Sequence, residues 1–190
     1  MTSPVAPMQG TKNLAAVAEL SDEANALLVA EEPAPKAFIA KLMEGEHFMD
    51  AVRFLAYALP KREAVWWAWV SARKAAGAEP APKIKSALEA TERWIVQPTE
   101  DNRRLTMAAG EVAEFGTAAG CAALAAFMST GSIAPPENPP VPPPEFMTAK
   151  AVAGSVTLAA VSKPEAANAQ FADFVKIGLE VAERTKLWGQ

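Results

Sequence analysis

The chain contains one histidine, His47, and one cysteine, Cys121, so two side chains that often bind metals or act as nucleophiles are scarce. Glu44 and His47 stand three residues apart, a spacing that places two ligands on one helix face in di-iron bundles. Such a site needs a second pair of this kind and two further carboxylates. Because the second histidine is missing, we expect no metal and no other cofactor, and we place His47 at the surface or at a helix cap.

Cys121 lies between Gly120 and Ala122 in the least polar part of the chain. A cysteine nucleophile needs an adjacent base, and the only imidazole, that of His47, is distant in sequence. Nucleotide-binding glycine motifs and the nucleophile elbow of hydrolases are also missing from the sequence. We therefore predict that Cys121 is a buried, inert thiol.

Carboxylates and arginines are the remaining groups that could transfer protons or bind a charged substrate. They are the pairs Glu100 with Asp101 and Glu111 with Glu114, and the neighbouring Arg103 and Arg104. Charged residues on a surface helix are typically solvated, so we assign no catalytic residue. An enzyme or toxin that uses these carboxylates and arginines stays open as the alternative function.

Three tryptophans stand close together in the segment Trp66-Trp67-Ala68-Trp69. Successive residues of a helix are turned by about 100 degrees, so three indoles cover more than one face. Trp67 shares its face with Glu63 and Lys74, which predicts partial exposure unless another segment covers it. Accessible tryptophans are enriched at binding hot spots, so this segment predicts a surface that binds a protein partner. Its members are Arg62, Trp66, Trp67 and Lys74.

The composition of the chain indicates an all-α fold. Of its 190 residues 42 are alanine, against 14 valines and 5 isoleucines, so the best helix former outnumbers the best strand formers. A chain of this length can bury one core. We predict a single-domain bundle of seven to nine antiparallel helices over residues 1–190.

Capping residues and prolines indicate where the helices begin and end. Ser21 and Thr99 are predicted N-caps, and residues 1–20 are expected to be disordered or extended. The predicted helices run from residue 21 to before 33, 35–44, 47–59, 61–76, a fifth ending before 98, 100–114, 117–129, 148–161 and 164–187.

Residues 135–144 contain seven prolines and favour a stiff polyproline II segment. Extended at about 3.1 Å per residue, this segment would reach about 31 Å, the length of a long helix. We predict a strap that runs along the bundle and covers part of the Trp66/Trp67 surface. The hairpin of residues 145–190 is too small to bury its own core, so it should pack on residues 21–130.

Charge and hydropathy restrict the partners. With 18 basic and 22 acidic residues the net charge is -4, without the basic excess that nucleic-acid binding normally requires. The N-terminal residues lack the features of a signal peptide. The uncharged run from Phe115 to Pro136 consists mostly of small residues, which favours a buried helix over a membrane span. We expect a cytoplasmic protein with a protein partner.

Two segments resemble an uncharacterised bacterial family of alanine-rich helical proteins of similar length. They are Leu59 to Trp69 and Pro142 to Gly154. The resemblance implies a gene near type VI secretion genes, and with it an accessory, chaperone or effector-linked role. The expected function is therefore that of a non-enzymatic protein-binding or adaptor protein.

Overall fold

The computed structural model describes residues 10–28 and 32–188. Within these residues the chain forms ten α-helices and no strand, which confirms the all-α prediction. The helices are α1 (Thr11–Val17), α2 (Asp22–Ala26), α3 (Pro35–Glu44), α4 (Phe48–Ala58), α5 (Lys61–Ala76), α6 (Pro82–Val96), α7 (Glu100–Ala113), α8 (Ala118–Phe127), α9 (Met147–Ala160) and α10 (Ala167–Arg184). A single 3-10 turn, Pro164–Ala166, precedes α10.

Helix α1 is the element that the sequence did not predict. The expectation of an extended or disordered segment is wrong for residues 11–17, whereas residues 1–9 lie outside the described part of the chain. Leu14, Ala15 and Ala18 bury one side of this helix, which packs on α4. Its N-cap is Gly10, whose missing side chain gives no capping signal in the sequence.

The predicted caps are present at the starts of two helices. The Ser21 hydroxyl accepts a hydrogen bond from the Ala24 amide at 3.2 Å, and the Thr99 hydroxyl accepts one from Asn102 at 3.3 Å. Pro35 and Pro82 each occupy the first turn of a helix, where a missing amide hydrogen costs little. Local chemistry therefore sets these boundaries.

Helix α9 lies at the centre of the bundle, packed against α4, α5, α8 and α10. Val152, Val156 and Ala159 on this helix are fully buried. Helix α8, formed from the uncharged run, buries Ala122, Ala125 and other small side chains against its neighbours. Small side chains let the helix backbones approach closely, so α8 and α9 pack tightly.

The proline-rich segment does not run along the bundle, and the predicted strap is wrong. The Ile133 amide donates to the Val141 carbonyl at 2.8 Å, so the chain reverses within residues 133–141. A turn closed by Asn138 and Pro135 at 3.0 Å forms the tip. The reversal falls on residues 135–138, where Glu137 and Asn138 interrupt the prolines, so the segment forms a loop.

Among the described residues, none of the helices combines the length and hydrophobicity that crossing a membrane requires.

Candidate functional site

A cleft of about 410 Å³ opens where the end of α1 meets α4 and α9. Its volume lies within the range of small-ligand sites, roughly 300–1,000 Å³. The residues that line it are Ala18, Glu19, Met49, Arg53, Tyr57, Lys150, Ala153, Gly154, Thr157 and Leu158.

Helical spacing arranges the two long walls of this cleft. Met49, Arg53 and Tyr57 are four residues apart on α4 and therefore share one face. On α9 the lining residues begin at Lys150 and recur at three- and four-residue intervals up to Leu158. Each wall carries a cation together with apolar atoms, so the cleft is amphipathic.

Glu19 forms the third side of the cleft, just after α1. Its backbone is left-handed, with a φ of 52 degrees, which turns the chain away from the helix. The Lys150 ammonium donates to the Glu19 carboxylate at 2.8 Å, and the Arg53 guanidinium donates to the Glu19 carbonyl at 3.1 Å. The end of α1 is therefore held between a cation of α4 and a cation of α9.

Arg53 is partly balanced by a second carboxylate behind the cleft. Its guanidinium lies 4.0 Å from Asp50, whose carboxylate accepts hydrogen bonds from the Ser21 amide at 2.9 Å and the Ser21 hydroxyl at 2.8 Å. Asp50 therefore sits at the N-terminus of α2, where the helix dipole favours a negative charge. The Asp50 carboxylate belongs to this anchor, whereas Glu19 faces the cleft.

Tyr57 closes the inner end of the charged region. Its ring stacks on Phe146 with 5.5 Å between the ring centroids, which fixes the phenol against the start of α9. Burial raises the pKa of Tyr57, while the charge of Lys150 acts in the opposite direction. The phenol therefore stays protonated near neutral pH and can donate a hydrogen bond.

The pKa values of the Glu19–Lys150 pair are both shifted away from neutral pH. The hydrogen bond from Lys150 lowers the pKa of Glu19, and the same bond raises the pKa of Lys150. A general acid or base works best when its pKa lies near the working pH. These groups instead keep fixed charges, which suits binding of a charged ligand better than proton transfer.

The structure corrects the predicted exposure of Trp67. The Trp67 side chain is 0% exposed, and its indole nitrogen donates to the Phe174 carbonyl at 2.7 Å. Gly178 of α10 makes this contact possible, since a β-carbon at that position would lie 2.8 Å from the indole. The last helix, rather than the proline loop, therefore covers the tryptophan, and Trp67 offers no surface to a partner.

The other members of the predicted partner-binding surface have different surroundings. Trp66 is half-buried under α10, with the Arg184 guanidinium 5.3 Å from its ring centroid. Arg62 instead donates to the Ile95 carbonyl at 2.8 Å and so caps the end of α6. Lys74 is exposed near the end of α5. The structure thus directs Arg62 and Trp66 toward different helices.

Glu44, His47 and Cys121, the metal and thiol candidates, do not line the cleft. Glu44 is exposed, and His47 is the N-cap residue of α4 without a side-chain capping bond. In the ranges 10–28 and 32–188 no three His, Cys, Asp or Glu side chains are grouped to hold a metal ion. The Cys121 thiol donates to the Phe115 carbonyl at 2.9 Å, and burial raises its pKa, which disfavours the reactive thiolate.

The arginines of the alternative enzyme hypothesis have structural partners. Arg103 is buried, at 1% exposure, and its guanidinium donates to Glu100 at 2.7 Å, to Ser132 at 2.7 Å and to the Phe127 carbonyl. Arg104 binds Glu100 at 2.7 Å and the Ala134 carbonyl at 3.1 Å. Glu114 pairs with Lys83. Through these contacts Arg103 and Arg104 hold the proline-rich loop to α7, and Glu114 holds the end of α7 to α6.

The family assignment rests on a sequence comparison. A family of unknown function, DUF6931, matches residues 38–182. The chain belongs to this family. No curated protein and no solved structure matches the chain. Both helical walls of the cleft lie within the part that defines DUF6931, whereas Glu19 precedes it.

Sequence reasoning missed four of the polar residues that line this DUF6931 cleft, namely Glu19, Arg53, Tyr57 and Lys150. The four-residue spacing from Met49 to Tyr57 was visible, but polar residues at helical spacing also describe an ordinary solvated face. Glu19 and Lys150 are separated by 131 positions, and nothing local predicts that they pair.

Proposed function

We propose that this DUF6931 protein is a non-enzymatic binding protein whose α1/α4/α9 cleft receives an acidic segment of a partner protein. The observation that supports this most directly is the Glu19–Lys150 pair. A carboxylate on a chain segment already occupies the cation of the cleft at 2.8 Å. Glu19 therefore has the geometry of an internal ligand that an acidic side chain of the partner replaces.

Displacement of the Glu19 carboxylate from Lys150 costs little free energy because the pair is exposed. The side chains of Lys150 and Glu19 are 49% and 69% exposed, and an ion pair in water contributes little to stability. The incoming carboxylate gains the Lys150 ammonium, with Arg53 and the Tyr57 hydroxyl nearby in the same lining. The exchange therefore needs little energy from the contacts around it.

The apolar part of the cleft supplies those contacts. Met49 is 54% exposed at the rim, and Ala153 and Leu158 contribute hydrocarbon surface on α9. Methionine adapts its shape readily to different apolar groups. A short segment with one acidic and one apolar side chain fits this lining, and the net charge of -4 supports a protein partner over a nucleic acid.

The resemblance of the two segments described above supports a finer assignment. We propose that the protein is a bacterial accessory, chaperone or effector-linked component of type VI secretion, and that it acts in the cytoplasm. A cleft that holds a short segment reversibly is compatible with an adaptor or chaperone, since an exposed ion pair forms and breaks easily.

Site-specific crosslinking tests the cleft. The photoreactive residue p-benzoylphenylalanine replaces Met49, and in a matched control it replaces Val112 of α7, which is 64% exposed and outside the cleft. Illumination of the native cells should yield a discrete adduct at position 49 and none at 112. Lys150→Glu should reduce the adduct about fivefold or more, because it reverses the charge that binds the partner.

Circular dichroism confirms that each variant is folded, and Lys150→Gln serves as a milder second variant. Adducts that persist unchanged in both Lys150 variants would contradict the proposed binding mode. Equal adducts at positions 49 and 112, or no adduct at 49, would exclude the cleft as the partner site.

A further inference from the structure

The connection between α8 and α9 is far longer than the fold requires. The Thr148 hydroxyl, at the start of α9, donates to the Met128 carbonyl, just after α8, at 2.9 Å. Antiparallel helices with adjacent ends are usually joined by two to eight residues. Residues 128–146 nevertheless make a nineteen-residue excursion between these two points. The proline-rich segment therefore does not serve to span a distance.

The base of this excursion is held firmly. The Ser132 carbonyl accepts hydrogen bonds from Arg103 at 2.7 Å and from Arg104 at 3.3 Å. The Ser132 hydroxyl accepts from the amides of Ala134 at 3.1 Å and Val141 at 3.0 Å. These hydrogen bonds attach the base of the loop to α7 and join its two arms.

The returning arm of the loop, residues 139–144, contains no helix or strand and consists of five prolines and Val141. Proline fixes its own φ and restricts the residue before it, so this arm favours polyproline II geometry. All of its residues are exposed except Pro143, which is half-buried, and Val141 is 47% exposed. With three residues per turn, Pro139 and Pro142 share one exposed ridge.

We infer that this ridge, formed by Pro139 and Pro142, is a docking site for a partner domain with an aromatic-lined groove of the kind that binds polyproline II segments. Aromatic grooves recognise this conformation through proline rings spaced three residues apart. The inference is independent of the α1/α4/α9 cleft and names a second interaction surface.

The charges beside the ridge and the low conformational entropy of the loop support a partner of this kind. Glu137 and Glu145 are exposed just before and just after the ridge, so a groove with basic residues at its rim is complementary to it. Because the loop is already fixed at Ser132 and stiffened by prolines, little conformational entropy is lost on binding. An exposed apolar ridge can therefore bind a partner without first having to fold.

The test uses the full chain and a phage library that displays fragments of the native genome. Fragments are selected on the wild-type chain and compared on Pro139→Ala/Pro142→Ala, which removes both rings of the ridge. A matched control is Pro98→Ala/Pro164→Ala, which changes two exposed prolines elsewhere. Selected fragments should bind the ridge variant about tenfold more weakly and the control unchanged, as expected for hot-spot contacts.

Alanine replacement of aromatic residues in the fragments should abolish binding, and Glu137→Gln/Glu145→Gln should weaken it. The tryptophan emission of the ridge variant should match that of the wild type, because α10 and not the loop covers the Trp66 and Trp67 indoles. If no fragment distinguishes the ridge variant from the control, the inference is wrong. Self-association of the wild type that disappears in the ridge variant would instead identify a second copy as the occupant.

Discussion

Two of the ion pairs in the described part of this protein, Arg103–Glu100 and Lys150–Glu19, differ strongly in burial. Arg103 is 1% exposed and binds Glu100, Phe127 and Ser132, which connects α7 to the end of α8 and to the base of the proline loop. Lys150 and Glu19 connect α9 to the end of α1 at 2.8 Å, but both side chains are largely in water.

This difference in burial distinguishes an ion pair that holds the fold together from one whose cation can bind a ligand. A buried guanidinium must have all its donors satisfied, since an unpaired buried charge is costly. Arg103 therefore cannot exchange its partners for a ligand. An exposed ammonium exchanges its partner for water or another carboxylate at little cost, so Lys150 is the cation that a ligand can reach.

Removal of the Arg103 guanidinium should produce the largest effect. Arg103→Met keeps much of the side-chain volume but leaves the Phe127 and Ser132 carbonyls without their donor. We expect the free energy of unfolding to fall by about 2–4 kcal/mol, measured by urea denaturation. Hydrogen exchange of the Ile133 amide, which closes the loop, should accelerate.

The matched control is Arg104→Met, which removes a guanidinium that is 27% exposed. It should cost about 1 kcal/mol, because water can replace its contacts. Equal losses in the two variants would show that burial does not distinguish these arginines.

Lowering the pH should weaken the contact between Arg103 and Glu100 progressively, whereas Arg103→Met removes it at once. The hydrogen bond from Arg103 lowers the pKa of Glu100, so the folded protein binds this proton less readily than the unfolded chain. The resulting stabilisation is present above the unfolded pKa, about 4.3, and is lost as the pH falls through the lower folded value. Glu100→Gln should therefore reduce the loss of stability between about pH 5 and pH 3, measured by urea denaturation at each pH.

The same Glu100 substitution in the Arg103→Met background provides the control. With the guanidinium absent, it should change the pH dependence less than it does in the wild type. An equal change in both backgrounds would mean that Arg103 is not the main cause of the lowered pKa.

Changes at the cleft should affect stability least. Glu19→Gln and Lys150→Gln each remove one charge of an exposed pair, so the free energy of unfolding should change far less than it does in Arg103→Met. Thermal melting measures this effect. A loss as large as that of Arg103→Met would show that the Glu19–Lys150 pair is structural, and would remove the basis for its exchange with a partner carboxylate.

Features that depend on residues close together in the sequence could be predicted, whereas features that depend on distant residues could not. The bounds of α3 and α5, and the caps at Ser21 and Thr99, were predictable because capping and proline act within a few residues. Helix α1 was missed because Gly10 gives no capping signal, although Leu14 and Ala15 are buried once α4 lies beside them.

The sequence by itself determined the all-α class and most helix boundaries, since helix propensity and periodicity are local properties of the chain. The tertiary structure alone decided which indole is covered, where the proline segment lies and which cation faces a cleft. Trp67 is buried by Phe174, which is 107 positions away, and Lys150 meets Glu19 across 131 positions. Such pairs depend on how the helices pack, and side-chain type and spacing along one helix carry no information about contacts at that separation.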